Sequence, residues 1–389
     1  MKKIIVEIKN YKAMVSLAEF IDGKWAILSS EGYRFKKPEV QTEMFFDQSW
    51  IKQMKADINN VAPFSAVEDV TIIINNKKTI LKSKLSERPA SFDVNKATQE
   101  FKKIQQAENV NYLVIASGRA VNQQVFKSKK HVALNAELIP KKYVLNIKEA
   151  FESEGIKISK IEASHLAIQS SLKPYLSEEY STINVHVDLE DTFITTAING
   201  KVAETIKISG GMDRIYANIN RKMAVSTADS KRFVKNFGHI PPEAVTDNKI
   251  ILTQKDDVTG FMTTYYKKDL SNYITERVND IFIKVTQIKK SLGSRRVQVV
   301  ISGDLVALSG IREYAQESLE LTDIRLFNTN VFGLEAAKST LISGVLKSTE
   351  IASKNNKNTL KLNREAIRET QTPLIVKIKE RVVRYYKYN

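Results

Sequence analysis

Few residues of this chain could carry reaction chemistry by type and spacing. The 389 residues include 4 His and no Cys, so there is no thiolate metal site, cysteine nucleophile or disulfide framework. His131, His165, His186 and His239 lie far apart in the sequence without metal-ligand spacing. Each reads as a surface or structural histidine. Adjacent acids occur at Glu190-Asp191 and Asp256-Asp257, but among 44 acidic residues such pairs arise by chance, and neither implies acid–base catalysis. P-loop, GxGxxG and GxSxG patterns are missing. Glycine itself is scarce: there are 14, where average usage of about 7% would supply about 27. A fold that cradled phosphates in several glycine-rich loops would have little stock to draw on.

The elements that must position any site read as mixed α/β. β-branched runs recur at Ile4–Ile8, Val70–Ile74, Tyr112–Ile115, Ile183–Val187, Phe193–Ile198, Val202–Ile208 and Val297–Ile301. Between them lie helical patterns. The clearest spans Asn272–Ser291, with Ile274, Val278, Ile281, Val285 and Ile288 on one face and Gly293 as its stop. Shorter helices are predicted over Asn95–Gln106 and Ile147–Glu154. Asn199-Gly200 between alternating strands is a strong hairpin signal. Ile183–Ile208 is therefore predicted to form three antiparallel strands, followed by Gly210-Gly211 and a helix over Met212–Met223. At roughly 100–200 residues per domain the length suggests two domains, and the pattern is that of an α/β protein with open sheets.

The composition carries 60 Lys+Arg against 44 Asp+Glu, a net charge of +16. That excess could serve nucleic acid, an anionic membrane or an acidic partner, or reflect lysine bias in an AT-rich genome. The lysines form no readable stripe, and aromatic–basic interleaving is confined to the last residues, so nucleic acid is not an expected partner. Met1–Val6 starts like a signal sequence, but Glu7 and Lys9 break the apolar run. No run of 18 apolar residues occurs. A cytosolic location is expected.

The stretch Val185–Ile240 resembles a motif of bacterial actin-like proteins, above all the FtsA cell-division family and more loosely the PilM family. In those proteins an Asp, glycines and a Thr hold nucleotide phosphates. A hairpin, a Gly-Gly and a helix follow, then an Ala-Glu-x-x-Lys-like stretch. The positions that match are Asp188, Thr192, Gly210, Gly211, Ala228-Asp229 with Arg232, and Gly238. Further on, the long helix with Arg277 and the segment VQVVISGDLVALSGIREYAQESL are similar to the family's adenosine motif, with Gly303-Asp304 and Gly310 at its glycine positions. The N-terminal strand-turn-strand resembles the first phosphate motif, Asn330–Lys347 the closing helix, and residues 85–159 the FtsA-type inserted subdomain 1C.

The resemblance implies a two-lobed actin-like fold. Lobe 1 would be 1–84 and 160–182, with the insertion 85–159. Lobe 2 would be 183–212 and 294–346, with a small subdomain 2B at 213–293. A linker 347–372 and a terminal segment 373–389 would follow. It also implies an ATP–magnesium site, but the phosphate motifs depart from the family pattern. The first reads Glu7-Ile8-Lys9-Asn10 and the second Asp188-Leu189-Glu190-Asp191-Thr192. Both lack the glycines whose backbone N–H groups approach phosphate closely. Glu190 and Asp191 would set like charge beside a triphosphate, a repulsion on the order of several kcal/mol at intermediate dielectric. The expectation is that nucleotide binding is weak or lost, hydrolysis is lost, and no cofactor is required. Gly210-Gly211 can equally be a tight strand-to-helix turn, and Gly303 a strand end.

On a helical wheel Leu374, Ile375, Ile378, Val382, Tyr385 and Tyr386 fall within a sector of roughly 120°, while Lys377, Arg381, Arg384 and Lys387 cluster on the other side. Five basic side chains against the single acid Glu380 give Pro373–Asn389 a net side-chain charge of +4. A basic amphipathic helix behind a polar linker is the pattern of an interfacial anchor on anionic lipids. A terminal strand or core-docked helix is the alternative. FtsA proteins end in such an anchor, so the resemblance implies a peripheral protein on the inner face of the cell membrane. It would tether the tubulin-like division protein FtsZ and self-associate into filaments. The acidic, apolar FtsZ tail would meet Arg221, Lys222, Lys231, Arg232, Lys235 and Arg277. Alternatives are a PilM-like platform for a pilus or secretion machine, binding the cytoplasmic tail of a membrane protein, or an actin-like ATPase.

Overall fold

A computed structural model describes residues 1–9, 12–22, 24–35, 46–75, 80–87, 112–121, 131–255, 260–293, 296–327, 342 and 345–346. They divide into two compact units, built chiefly from Met1–Pro174 and Tyr175–Asn328. The helix expected over Asn95–Gln106, the stretch 347–372 and all of Pro373–Asn389 lie outside the described residues.

The first unit opens with β1 (Lys2–Ile8), β2 (Lys12–Ile21) and β3 (Lys24–Arg34), followed by α1 (Ser49–Val61) and β4 (Val67–Ile74). Next come β5 (Ile80–Glu87), β6 (Tyr112–Val121), β7 (His131–Pro140), α2 (Lys141–Ser153), β8 (Lys160–Ala163) and α3 (Ser164–Ser171). Its main sheet has the order β3-β2-β1-β4-β8. The pairs β1–β2 and β2–β3 are antiparallel, and β1–β4 and β4–β8 are parallel. A strand covered on both faces needs a near-continuous apolar run, and β1 is buried from Lys3 to Ile8. Helix α1 presents Trp50, Ile51, Met54 and Ile58 at helical spacing, and they join Tyr143, Ile147 and Phe151 of α2 in one core. Pro63 follows the helix, and Ala62 before it is extended, as the proline ring demands. Strands β5, β7 and β6 form a separate antiparallel sheet, and β7 leads directly into α2.

The second unit repeats the plan. It contains β9 (Ser181–Val187), β10 (Asp191–Ile198), β11 (Lys201–Ser209), α4 (Met212–Met223), α5 (Thr227–Phe237), β12 (Ile250–Lys255) and β13 (Met262–Tyr266). Then follow α6 (Lys267–Ser291), β14 (Val297–Gly303), α7 (Ile311–Leu319) and β15 (Ile324–Leu326). The sheet order is β11-β10-β9-β14-β15, again two antiparallel pairs and then two parallel ones. Every residue of β9, β10 and β14 is buried. Asn199 (φ 51°) and Gly200 (φ 70°) close the β10–β11 hairpin, both left-handed as a type I′ turn requires. Helix α4 matches its predicted bounds. Helix α6 starts at Lys267, earlier than the apolar pattern indicates, because the Tyr266 amide donates to the Asp269 carboxylate at 2.8 Å. Its buried stripe runs through Leu270, Ile274, Val278, Phe282 and Val285, whereas the pattern placed Ile281 and Ile288 in it.

Candidate functional site

In each five-stranded sheet the central strand pairs in parallel on one side and turns into a hairpin on the other. Turns at the carboxyl ends of parallel strands are where open α/β sheets hold ligands. The turn after β9 is Asp188-Leu189-Glu190, packed against Gly210-Gly211 and the start of α4. The Asp188 and Leu189 carbonyls accept from the amides of Met212 (3.0 Å) and Asp213 (2.8 Å). The Glu190 carbonyl accepts from Gly210 (2.8 Å), and the Asp191 carbonyl from Asp188 (2.9 Å). The Asp188 carboxylate takes the Leu189 amide at 2.7 Å, and the Asp213 carboxylate takes the Gly211 amide at 2.9 Å. Thr192 donates its hydroxyl to the Gly210 carbonyl at 2.9 Å. Asp188, Thr192, Gly210 and Gly211 are thus brought together. A Cβ on Gly211 would lie 1.9 Å from the Asp188 carbonyl oxygen, so the glycine is dictated by backbone on backbone. The charge of Asp191 is met by the Lys207 ammonium at 3.1 Å, which also lies 5.7 Å from the centre of the Phe193 ring.

In the first unit, the buried Glu7 carboxylate is engaged by the Lys9 ammonium at 3.3 Å and the Asn75 side-chain amide at 2.9 Å. The backbone beside it is tied down by Lys9 N–H to Lys12 O and Asn75 N–H to Ile8 O, both 2.8 Å.

Gly303 ends β14 with φ 79°, and a Cβ there would stand 2.2 Å from the Val187 carbonyl oxygen. A Cβ on Gly310, also at φ 79°, would stand 1.8 Å from the Ile240 carbonyl oxygen. Asp229 serves the start of α5: its amide donates to Ser226 Oγ at 3.0 Å, its carboxylate receives that hydroxyl at 2.6 Å, and it pairs with Arg232 at 2.9 Å.

The predicted basic residues divide into two groups. Arg221 and Arg277 both donate to the side-chain oxygen of the buried Asn218, at 3.0 and 3.4 Å. Asn218 in turn donates to the Tyr273 carbonyl (2.9 Å) and the Glu276 carboxylate (3.1 Å). Lys222 lies over the Tyr273 ring at 5.9 Å. The Asn218 hydrogen bond holds the Glu276 carboxyl below its ordinary range, aided by the charges of Arg277, Lys222 and Arg221. Arg277 also pairs with Glu276 (3.3 Å) and Asp280 (3.0 Å). The second group, Lys231, Arg232 and Lys235, is exposed on α5, with Lys231 over Tyr216 at 5.6 Å and Arg232 over Phe233 at 5.6 Å. Sequence reasoning missed Asp213, Lys207, Asn75 and Asn218. Only Asp213, an acid in the first turn of a helix, had a readable signal. Among the described residues no cluster of three or more His, Asp or Glu could hold a metal, and no helix is long and apolar enough to cross a membrane.

No family model matches the chain. In sequence it is similar to the cell division protein FtsA of Bacillus subtilis, 26% identical over 198 residues that cover 49% of this chain and 43% of that protein. It is also similar to FtsA of Staphylococcus epidermidis, 24% identical over 218 residues, covering 54% and 45%. The matched region therefore spans less than half the length of these relatives. In structure it is similar to the chain of a PilM–PilN type IV pilus biogenesis complex, with TM-score 0.59 and 9% identity over 89% of this chain and 98% of that one. The ADP-bound MreB5 of Spiroplasma citri matches with TM-score 0.51 and 7% identity over 92% and 99%. The chain has the actin-like fold, and in sequence it is similar to FtsA.

Proposed function

We propose that this protein is an FtsA-like scaffold that binds the C-terminal tail of an FtsZ-type division protein and attaches it to the cytoplasmic membrane. The observation that carries the reading is the gathering of Arg221, Lys222 and Arg277 around Asn218 and Tyr273 on α4 and α6. Two guanidiniums held at one oxygen, beside an aromatic ring, suit a peptide that is both acidic and apolar. The membrane contact is the basic amphipathic segment Pro373–Asn389, and self-association into actin-like filaments belongs to the same reading. The inserted elements of residues 85–159 and the small subdomain 213–293 are assigned to this scaffold as subdomains 1C and 2B.

Fluorescence anisotropy of a labelled FtsZ C-terminal peptide against the full chain tests this. Binding should weaken by about tenfold or more in Arg221→Glu/Lys222→Glu, an effect of about 1.4 kcal/mol or more, and should fall with salt. A peptide that does not bind the wild-type chain would sink the reading. The second reading, a PilM-like platform for the cytoplasmic tail of a membrane protein, is supported by the match to the PilM–PilN complex.

A further inference from the structure

The resemblance to actin-like proteins implies phosphate contacts at a first turn, after β1, and at a second, after β9, and the residues of the second do not fit them. We infer that the second turn is closed by the chain's own groups, so that the protein keeps its fold without ATP or magnesium. A phosphate cradle works by offering unspent N–H groups at a glycine-rich turn and a helix N-terminus. Here the amides of Asp188, Leu189, Gly210, Gly211, Met212 and Asp213 each have an acceptor within the chain, at 2.7 to 3.0 Å. The acceptor for Gly211 is a carboxylate. Asp213 therefore supplies negative charge at the N-terminus of α4, where the helix dipole favours it. Asp191 has its counter-charge in Lys207, and Glu7 has Lys9 and Asn75.

A phosphate entering the second turn would have to strip Met212 and Asp213 from the carbonyls of Asp188 and Leu189, which opens the turn itself. It would also have to displace Asp213 from Gly211. The glycines that match the family motif do not argue otherwise, since Gly211 and Gly303 are required by the carbonyls of Asp188 and Val187. This inference does not depend on the identity of the scaffold's partner.

Hydrogen exchange read by mass spectrometry on the full chain, stripped of nucleotide and metal, tests it together with thermal melting. The amides of 188–189 and 210–213 should be protected in the stripped protein. Neither their exchange nor Tm should change with millimolar ATP–magnesium. Rapid exchange that slows on adding ATP–magnesium, or a Tm that climbs with nucleotide concentration, overturns the inference. Asp213→Ala should speed exchange at Gly211 and its neighbours, and Asp213→Asn, which keeps an acceptor oxygen, should recover much of the protection. Wild-type exchange in Asp213→Ala would remove Asp213 from its assigned place.

Discussion

Gly303 and Gly293 both have positive φ, at 79° and 68°, but Gly303 combines it with ψ −155°, a conformation essentially reserved for glycine, and a side chain at the two would meet opposite surroundings. At Gly293, in the turn after α6, nothing lies within 4 Å of an added Cβ. Alanine there pays only the left-handed penalty of about 1–2 kcal/mol. At Gly303 the added atom would press on Val187, its partner in the parallel β9–β14 ladder. Neither backbone can yield without parting two fully buried strands. Gly303→Ala should therefore cost more than about 3 kcal/mol, and Gly293→Ala no more than about 2 kcal/mol, read as shifts in the urea midpoint. Equal shifts would mean that neither the close approach at Gly303 nor its rarer backbone conformation adds to the cost. The same reasoning separates the two roles a glycine can have near a phosphate-type turn. Here the need for glycine comes from the chain's own carbonyls.

At the scale of elements, α4 and α5 are joined by Tyr216, half-buried beneath Lys231. Burial, with the nearby Asp304 charge, pushes its phenol from 10.0 up to about 12. In the unfolded chain the phenol loses its proton near its ordinary value. The folded state then binds more protons between the two values, so the contribution of Tyr216 is fully present below pH 10 and lost as pH rises to about 12. Stability should fall across that window in the wild type and fall less steeply in Tyr216→Phe, measured by urea unfolding at a series of pH values. Parallel slopes would refute it. Much of this architecture was legible in the sequence, because β-branched runs and the helical face of α6 report burial directly. The partners at the second turn were not. Counting back from Asn199-Gly200 sets Phe193 opposite Ile206, but a bulge between Thr196 and Ala197 moves its partner to Lys207. A one-residue slip turns every side chain to the other face, so only the fold shows that Lys207 reaches Asp191. Asn218 was equally hidden, because its partners Tyr273, Glu276 and Arg277 lie on another helix.

At the scale of the whole molecule, two sheets of one topology place their hairpin turns at equivalent ends of equivalent strands. Yet the interpretable part of the +16 charge lies in the terminal segment, which carries +4 over Pro373–Asn389. If that segment is an interfacial helix, Leu374, Ile375, Ile378, Val382, Tyr385 and Tyr386 enter the acyl boundary while Lys377, Arg381, Arg384 and Lys387 face the headgroups. Each basic residue near an anionic leaflet contributes about 1 kcal/mol, and this attraction is screened over a Debye length. Deleting Pro373–Asn389 should therefore abolish co-sedimentation with phosphatidylglycerol-containing liposomes while leaving Tm unchanged. The intact chain should bind less as salt rises, and least to purely zwitterionic liposomes. Replacing Ile378 and Val382 by Asp should weaken binding as strongly as deletion, because apolar insertion and charge attraction are both needed for stable attachment. Undiminished binding after deletion would move the membrane contact elsewhere, and a lowered Tm would identify the segment as part of the folded core.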